Sequence, residues 1–148
     1  MSALYKWINP PVKLLLRSPF HGLMSQNTLL LEFAGRKSDR ALSTPISYHI
    51  KNGAAFCFTS RTYAWWRNLT NGQQVTLTLA GKKYRSQPQV VTDDHELMVS
   101  ELDSFLRAVP RDAAHAGVGL DAKGNPIPAD IQQVVAGMVF LKFPLQEA

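Results

Sequence analysis

Several things are scarce in this sequence, and each scarcity excludes something. A single cysteine, Cys57, rules out an internal disulfide and gives no cysteine-based metal site. The four histidines, His21, His49, His95 and His115, show no metal-ligand spacing. No apolar run approaches the ~20 residues needed to span a bilayer. The block from Val12 to Leu16 is broken by Lys13 and ended by Arg17, Ser18 and Pro19. The opening stretch lacks a signal peptide's order of basic region, long apolar run and small-residue cleavage site, so a cytoplasmic location is expected. There is no Walker-type or GxGxxG glycine pattern, which argues against a P-loop or Rossmann cofactor site. Neither a Ser/His/Asp order nor paired carboxylates argue for hydrolysis.

Acidic residues are scarce in one part of the chain only. Residues 1–90 hold twelve Lys/Arg against Glu32 and Asp39, a balance of +10, whereas residues 91–148 hold four against nine, a balance of −5. These sum to the net charge of +5, so the basic character belongs to the first part, where an anionic partner is drawn. A phosphate, a membrane surface or a nucleic acid all satisfy charge alone. No repeated pattern of exposed aromatics accompanies the cations, which weighs against nucleic acid.

What is present reads as one soluble domain over 1–148: the 148 residues are 45% hydrophobic and 18% charged, with no repeat or low-complexity segment. Residues 3–8 and 11–25 predict short amphipathic helices broken at Asn9-Pro10-Pro11, giving an N-terminal helical segment over 1–26. Strands are expected at 28–34, 43–51, 54–60, 74–80, 83–91 and 134–143, with Asn52-Gly53 as a tight hairpin turn. Pro88 puts its strand at an edge or bulge. A short helix is expected over 63–69, ended by Asn71-Gly72. A longer one is expected over about 94–108, capped by Asp93 with Glu96 and buried through Leu97, Leu102, Phe105 and Leu106. Pro126 and Pro128 mark a loop. Hairpin-linked strands flanked by helices predict a β-rich α+β fold, a small antiparallel barrel or rolled sheet.

Three stretches carry candidate chemistry. Gly35-Arg36-Lys37-Ser38 joins two apolar strands and has the makings of an anion site, because glycine permits close backbone approach and the cations add charged donors. Spacing alone favours the plain alternative, a polar connection that is basic by accident. Trp65-Trp66-Arg67-Asn68 places two tryptophans on one helical turn. One is free to enter the core while the other lines a cleft and stacks on a planar ring; simple packing of both is equally open. Ser60-Arg61 ends a strand just before that turn. A solvated loop position is expected for His115 and a structural one for Cys57.

Taken in order, "GRKS", "TPISY", "FCFTS" and "AWWRNL" resemble the deazaflavin-dependent nitroreductase and quinone reductase family. The resemblance spans about residues 10–143 and is strongest over 28–80. It implies a small antiparallel split β-barrel, related to the FMN-binding split barrels. It also implies an oxidoreductase that passes hydride from reduced coenzyme F420, an 8-hydroxy-5-deazaflavin, to quinones, nitroaromatics or activated alkenes. FMN is the alternative cofactor, and a non-catalytic flavin-like ligand-binding module on the same barrel is the alternative function. By this resemblance Gly35, Arg36, Lys37 and Ser38 hold the cofactor's phosphate or tail, and Thr44 and Pro45 wall its ring, with Ser47 or Tyr48 nearby. Arg61 lines the cleft, while Ala64, Trp65 and Asn68 belong to the turn that covers the ring. Ser60, with Tyr63, is expected to hydrogen-bond the acceptor. Asp39 stands where the family has glycine, and Leu42 where an arginine is common. A small hydrophobic acceptor, a homodimer and peripheral membrane contact through residues 1–26 complete the expectation.

Overall fold

The computed structural model describes residues 27–147; the expected helices at 3–8 and 11–25, and any membrane contact through residues 1–26, lie outside them. Among the described residues, nine strands form two antiparallel sheets. The first holds β1 (Thr28–Ala34), β2 (Ala41–Ser47), β5 (Val75–Leu79), β6 (Lys82–Ser86) and β9 (Gln146–Glu147), in the order β2-β1-β5-β6-β9. The second holds β3 (His49–Lys51), β4 (Ala54–Ser60), β7 (Gln89–Val91) and β8 (Met138–Pro144), in the order β3-β4-β8-β7.

Two of the crossings between these sheets are corners at which an expected single strand is divided. A continuous strand over 43–51 was expected, yet the strand breaks at Tyr48, whose N–H makes a last bond in the β1–β2 register, to the Asn27 carbonyl at 2.9 Å, before His49 joins the second sheet. The expected strand over 83–91 likewise breaks at Gln87-Pro88, where proline has no N–H to offer a ladder. Each corner carries one strand from the first sheet into the second: the outer β2 continues as the outer β3, and β6, flanked by the short β9, continues as the outer β7. This is the split-barrel arrangement of an α+β fold.

Alternation decides what lies inside. Leu29, Leu31 and Phe33 of β1 face Ile46 and Leu42 of β2 and, with Leu77, Cys57, Leu141 and Phe143, fill the interior. The opposite face of β4 and β8, through Ala54, Phe56 and Phe140, packs against helix α1 (His95–Ala108) to form a second core. Burying each large side chain contributes roughly 1.5–3 kcal/mol. Helix α1 has the expected extent, but its cap is Asp94 rather than Asp93: the Asp94 carboxylate accepts from the Leu97 N–H at 3.2 Å. The helix therefore starts one residue later, and the buried stripe runs through Met98, Leu102, Phe105 and Leu106 while Leu97 is 37% exposed.

The Asn52-Gly53 hairpin is as expected, with φ of 51° and 75° at its two central residues. Three elements depart from the sequence reading. Helix α2 (Ala113–Ala116) carries the exposed His115. Helix α3 (Pro128–Val134) occupies part of the expected proline loop, because Pro128 sits in its first turn, where a missing N–H costs nothing. The last long strand consequently begins at Met138 rather than 134.

Candidate functional site

The β1–β2 connection is closed by two backbone bonds, Gly35 N–H to the Arg40 carbonyl at 2.8 Å and Asp39 N–H to the Gly35 carbonyl at 2.9 Å. Gly35 is buried, whereas Arg36, Lys37, Ser38 and Arg40 are exposed. Asp39 has a φ of 55°, the left-handed region that glycine occupies at no cost. Among the described residues no carboxylate forms an ion pair with Arg36, Lys37 or Arg40. The turn thus offers three cationic side chains to solvent on a fixed backbone.

That backbone is fixed from the second stretch. The expected helix is a 3₁₀ helix, Trp65–Asn71, which ends on Gly72 at a φ of 78°. Asn68, 3% exposed, accepts at Oδ1 from the Arg36 N–H at 2.9 Å and from Arg36 Nη1 at 3.3 Å. Its Nδ2 donates to the Trp65 carbonyl at 2.9 Å. Separate stretches of sequence, "GRKS" and "AWWRNL", are therefore bound together through one side chain. Gln73, which the sequence reading missed, completes the joint. Its amide accepts from the Ala34 N–H at 2.8 Å and donates to the Ala34 and Asn68 carbonyls at 2.9 and 2.8 Å. A primary amide has a peptide's donor and acceptor side by side, so Gln73 acts as a strand neighbour just beyond the β1–β5 ladder, which stops at Glu32–Thr76. Only its place after the Asn71-Gly72 terminator hints at this.

Neither tryptophan is free to line a cleft within the chain. Trp65 and Trp66 are each 6% exposed and belong to the interior core. The 3₁₀ helix sets Trp65, Trp66 and Leu69 into the interior core as a plug, so both directions of its turn meet protein. Trp65 lies against Phe33 at 6.2 Å between centroids, and the Arg67 guanidinium covers Trp66 at 4.8 Å. The exposed aromatic of this region is Tyr63, at 59%, with its N–H on the Ser60 carbonyl at 3.2 Å. Ala64 is half-buried at the start of the plug.

Thr44 and Pro45 do not form one wall. Successive strand residues point to opposite faces. Thr44 pairs with the inward-facing Leu31 and is 6% exposed, whereas Pro45 pairs with Leu30 on the outer face; Ser47 shares that outer face, and Tyr48 is buried at the corner. Burial raises the Tyr48 phenol above its ordinary value, with further contributions from Cys57 and Tyr84. At the end of β4, Ser60 Oγ lies 2.8 Å from Thr62 Oγ1 and accepts from the Thr62 N–H at 3.2 Å. The Arg61 guanidinium turns away from the cationic turn: its Nη2 donates to the Thr92 and Met138 carbonyls, the latter at 3.4 Å, and its own N–H to the Gly137 carbonyl at 2.8 Å. Trp66 Nε1 reaches the Arg61 carbonyl at 3.4 Å, so the plug touches both the Arg36 turn and the Ser60-Arg61 corner. Behind Arg61 lies a recess of about 310 Å³, on the side facing α1. Among the described residues no cluster of His, Cys, Asp and Glu has the makings of a metal site.

No known family model and no curated protein matches the sequence. Solved structures do match the fold. A candidate 5-nitroimidazole antibiotic resistance protein from Bacteroides thetaiotaomicron superposes with a TM-score of 0.57 at 10% identity, over 86% of this chain and 78% of the other. An FAD-binding protein from Mesorhizobium loti does so with 0.52 at 11%, over 99% and 91%. An F420-H2 dependent reductase gives 0.52 at 15%, over 79% and 94%. Likeness at such low identity establishes the architecture, and the architecture is the split barrel that the sequence motifs led us to expect.

Proposed function

We propose that this chain is an oxidoreductase that binds a deazaflavin of the F420 type, or FMN, and directs hydride to a small apolar acceptor such as a quinone, nitroaromatic or activated alkene. The observation that carries this reading is the joint between the exposed cationic turn and the tryptophan plug through Asn68. Similar folds whose names record FAD binding or F420-H2 dependence support it.

The residues fit such a cofactor at its anionic end. Gly35 closes the turn with its own N–H and carbonyl, Ser38 offers an exposed hydroxyl, and Arg36, Lys37 and Arg40 offer exposed charge, without an ion pair among the described residues, for a phosphate or a carboxylate tail. When bound, the cofactor supplies the hydride, a reaction that asks little acid-base work of the protein. The chain's tasks are to orient and to exclude water. Arg36 and Lys37 hold the anion on a backbone that Asn68 and Gln73 keep rigid. Tyr63 offers the exposed aromatic face that the buried Trp65 and Trp66 do not. Ser60 is the residue we assign to hydrogen-bond the acceptor's oxygen, after exchanging its bond to Thr62.

Titration of the purified protein with F420, FMN and FAD, read by tryptophan fluorescence, tests the binding step. Quenching by one of them is expected, with affinity lowered about tenfold or more in Lys37→Glu, since one charge-assisted contact to an anion is worth about 1.5–3 kcal/mol. No response to all three refutes the reading. Binding without reduction of any quinone or nitro compound assigns the chain instead to the non-catalytic module.

A further inference from the structure

We propose a second ligand site in this protein, distinct from the cationic turn: the recess behind Arg61 takes a small organic monocarboxylate with an apolar body. The recess, at about 310 Å³, is at the lower end of the range for ligand pockets, about 300–1,000 Å³. Its walls are Arg61, Thr92, Asp93 and His95, and it is lined also by Met98 and Val135, which are 2% and 1% exposed.

Four features give the recess its preference. First, the Arg61 guanidinium is held in place by protein, because Nη2 is tied to the Thr92 and Met138 carbonyls. An arginine pinned in this way loses little side-chain freedom when an anion arrives. Second, its charge has no direct ion pair. Among the described residues it forms no ion pair, its Nε is buried without a partner, and its Nη1 makes no hydrogen bond. A half-buried cation bound directly only to carbonyls, with Asp93 on the same wall but not ion-paired to it, gains from an anion more than a solvated one does. Third, His95 begins α1, so the first turn of this 14-residue helix borders the recess, with the positive end of its dipole shared with the Asp94 carboxylate that caps it. Fourth, Met98 and Val135 make part of the lining apolar, which suits a hydrocarbon body and not a bare inorganic ion.

The opposing charge sets the ligand's valence. Asp93 also lines the recess, and its carboxylate repels a dianion such as phosphate about twice as strongly as a monoanion, by Coulomb's law. His95, bonded through Nε2 to Gln132 Oε1 at 2.8 Å, supplies a polar edge. A carboxylate on a ring or short chain meets all of these demands. The site does not rest on the cofactor reading, since none of its lining residues belongs to the cationic turn.

The test uses the full chain with benzoate as probe, followed by NMR of the backbone amides. Expected are saturable shifts at His95, Val135 and Ala136, with millimolar or tighter affinity, and binding of the uncharged isostere benzamide at least about tenfold weaker. Ala136 is an exposed residue lining the recess, so Ala136→Trp fills the space without entering the core, and it is expected to abolish the shifts while leaving the unfolding midpoint near that of the wild type. Arg61→Lys keeps a charge but not the fork, and is expected to weaken benzoate about tenfold. Equal binding of benzoate and benzamide overturns the proposal, as does undiminished binding by Ala136→Trp. Tighter binding of inorganic phosphate than of benzoate overturns the ligand class, and no saturable shift up to about 20 mM benzoate overturns the site.

Discussion

Replacing Gln73 by glutamate changes one atom's chemistry and little of its shape, and so isolates the joint between the turn and the plug. The amide makes three hydrogen bonds, one accepted from the Ala34 N–H and two donated to the Ala34 and Asn68 carbonyls. An ionised carboxylate keeps the first and loses both donations, about 1 kcal/mol each, and sets a charge against two carbonyl oxygens for about 1 kcal/mol more. A loss of about 3 kcal/mol at pH 7 follows, a large share of a stability of about 5–15 kcal/mol. The protonated acid recovers one donor, so the loss in acid falls to about 1 kcal/mol. That difference of about 2 kcal/mol corresponds to a folded-state pKa raised about one and a half units above the ordinary value of about 4.3. The sign is fixed by linkage: the folded state favours the neutral acid, so the penalty is smallest below about pH 4.3 and grows as pH rises through the raised value. Urea unfolding of wild type, Gln73→Glu and Gln73→Ala at about pH 4 and about pH 7 measures it, with the alanine variant, which loses all three bonds, down by about 3 kcal/mol at both. A glutamate loss under about 1 kcal/mol at pH 7, or one equal at both pH values, refutes the assignment of Gln73 as the bridging amide.

Three further perturbations address other parts of the molecule. His49 stands edge-on to Phe56 and Phe105 with its Nε2 buried and unpartnered, and burial first, then Lys51, lowers its pKa below 6.5 against the pull of Glu101. The unfolded chain therefore binds the proton more readily, stability is lost as pH falls from about 6.5, and urea titrations should show His49→Phe lacking that part of the acid sensitivity. Asp39→Gly removes a left-handed non-glycine residue and should raise stability by about 0.5 kcal/mol, the strain relieved exceeding the added chain freedom; thermal unfolding showing a loss of more than about 1 kcal/mol contradicts the strain argument. Leu77→Ala, at a fully buried interior position, should cost about 2–5 kcal/mol in chemical unfolding, whereas Ile50→Ala, half-exposed on β3, should cost under about 1 kcal/mol.

Much of the architecture was legible before any coordinates because alternation is local. The strands at 28–34 and 54–60 match residue for residue, and Asn52-Gly53 turns as its backbone freedom requires. The corner at Tyr48 was not legible, since its apolar and polar residues keep a period of two straight through a bend that only the second sheet imposes. Pro88 did announce the other corner, through the N–H it lacks. Leu97 was misplaced in the buried stripe because the neighbouring aspartates Asp93 and Asp94 are equal candidates for a cap, and packing of Met98 chose between them.

The sequence by itself determined the strand pattern, the basic first part of the chain, and the motif order that pointed to a split barrel. It placed cations on the Arg36 turn and made them available, since exposed charge needs no partner. Tertiary structure alone decided what those residues meet. Consecutive tryptophans were both drawn inward because the 3₁₀ helix that carries them packs into the interior core. Thr44 and Pro45 were parted because a strand has two faces. Arg61 was turned toward α1 because carbonyls left over at the ends of β7 and β8 needed donors. Asn68 and Gln73 became the joint of the site because side-chain amides satisfy backbone groups that the ladders leave behind, and which groups are left behind is known only when the sheets have met.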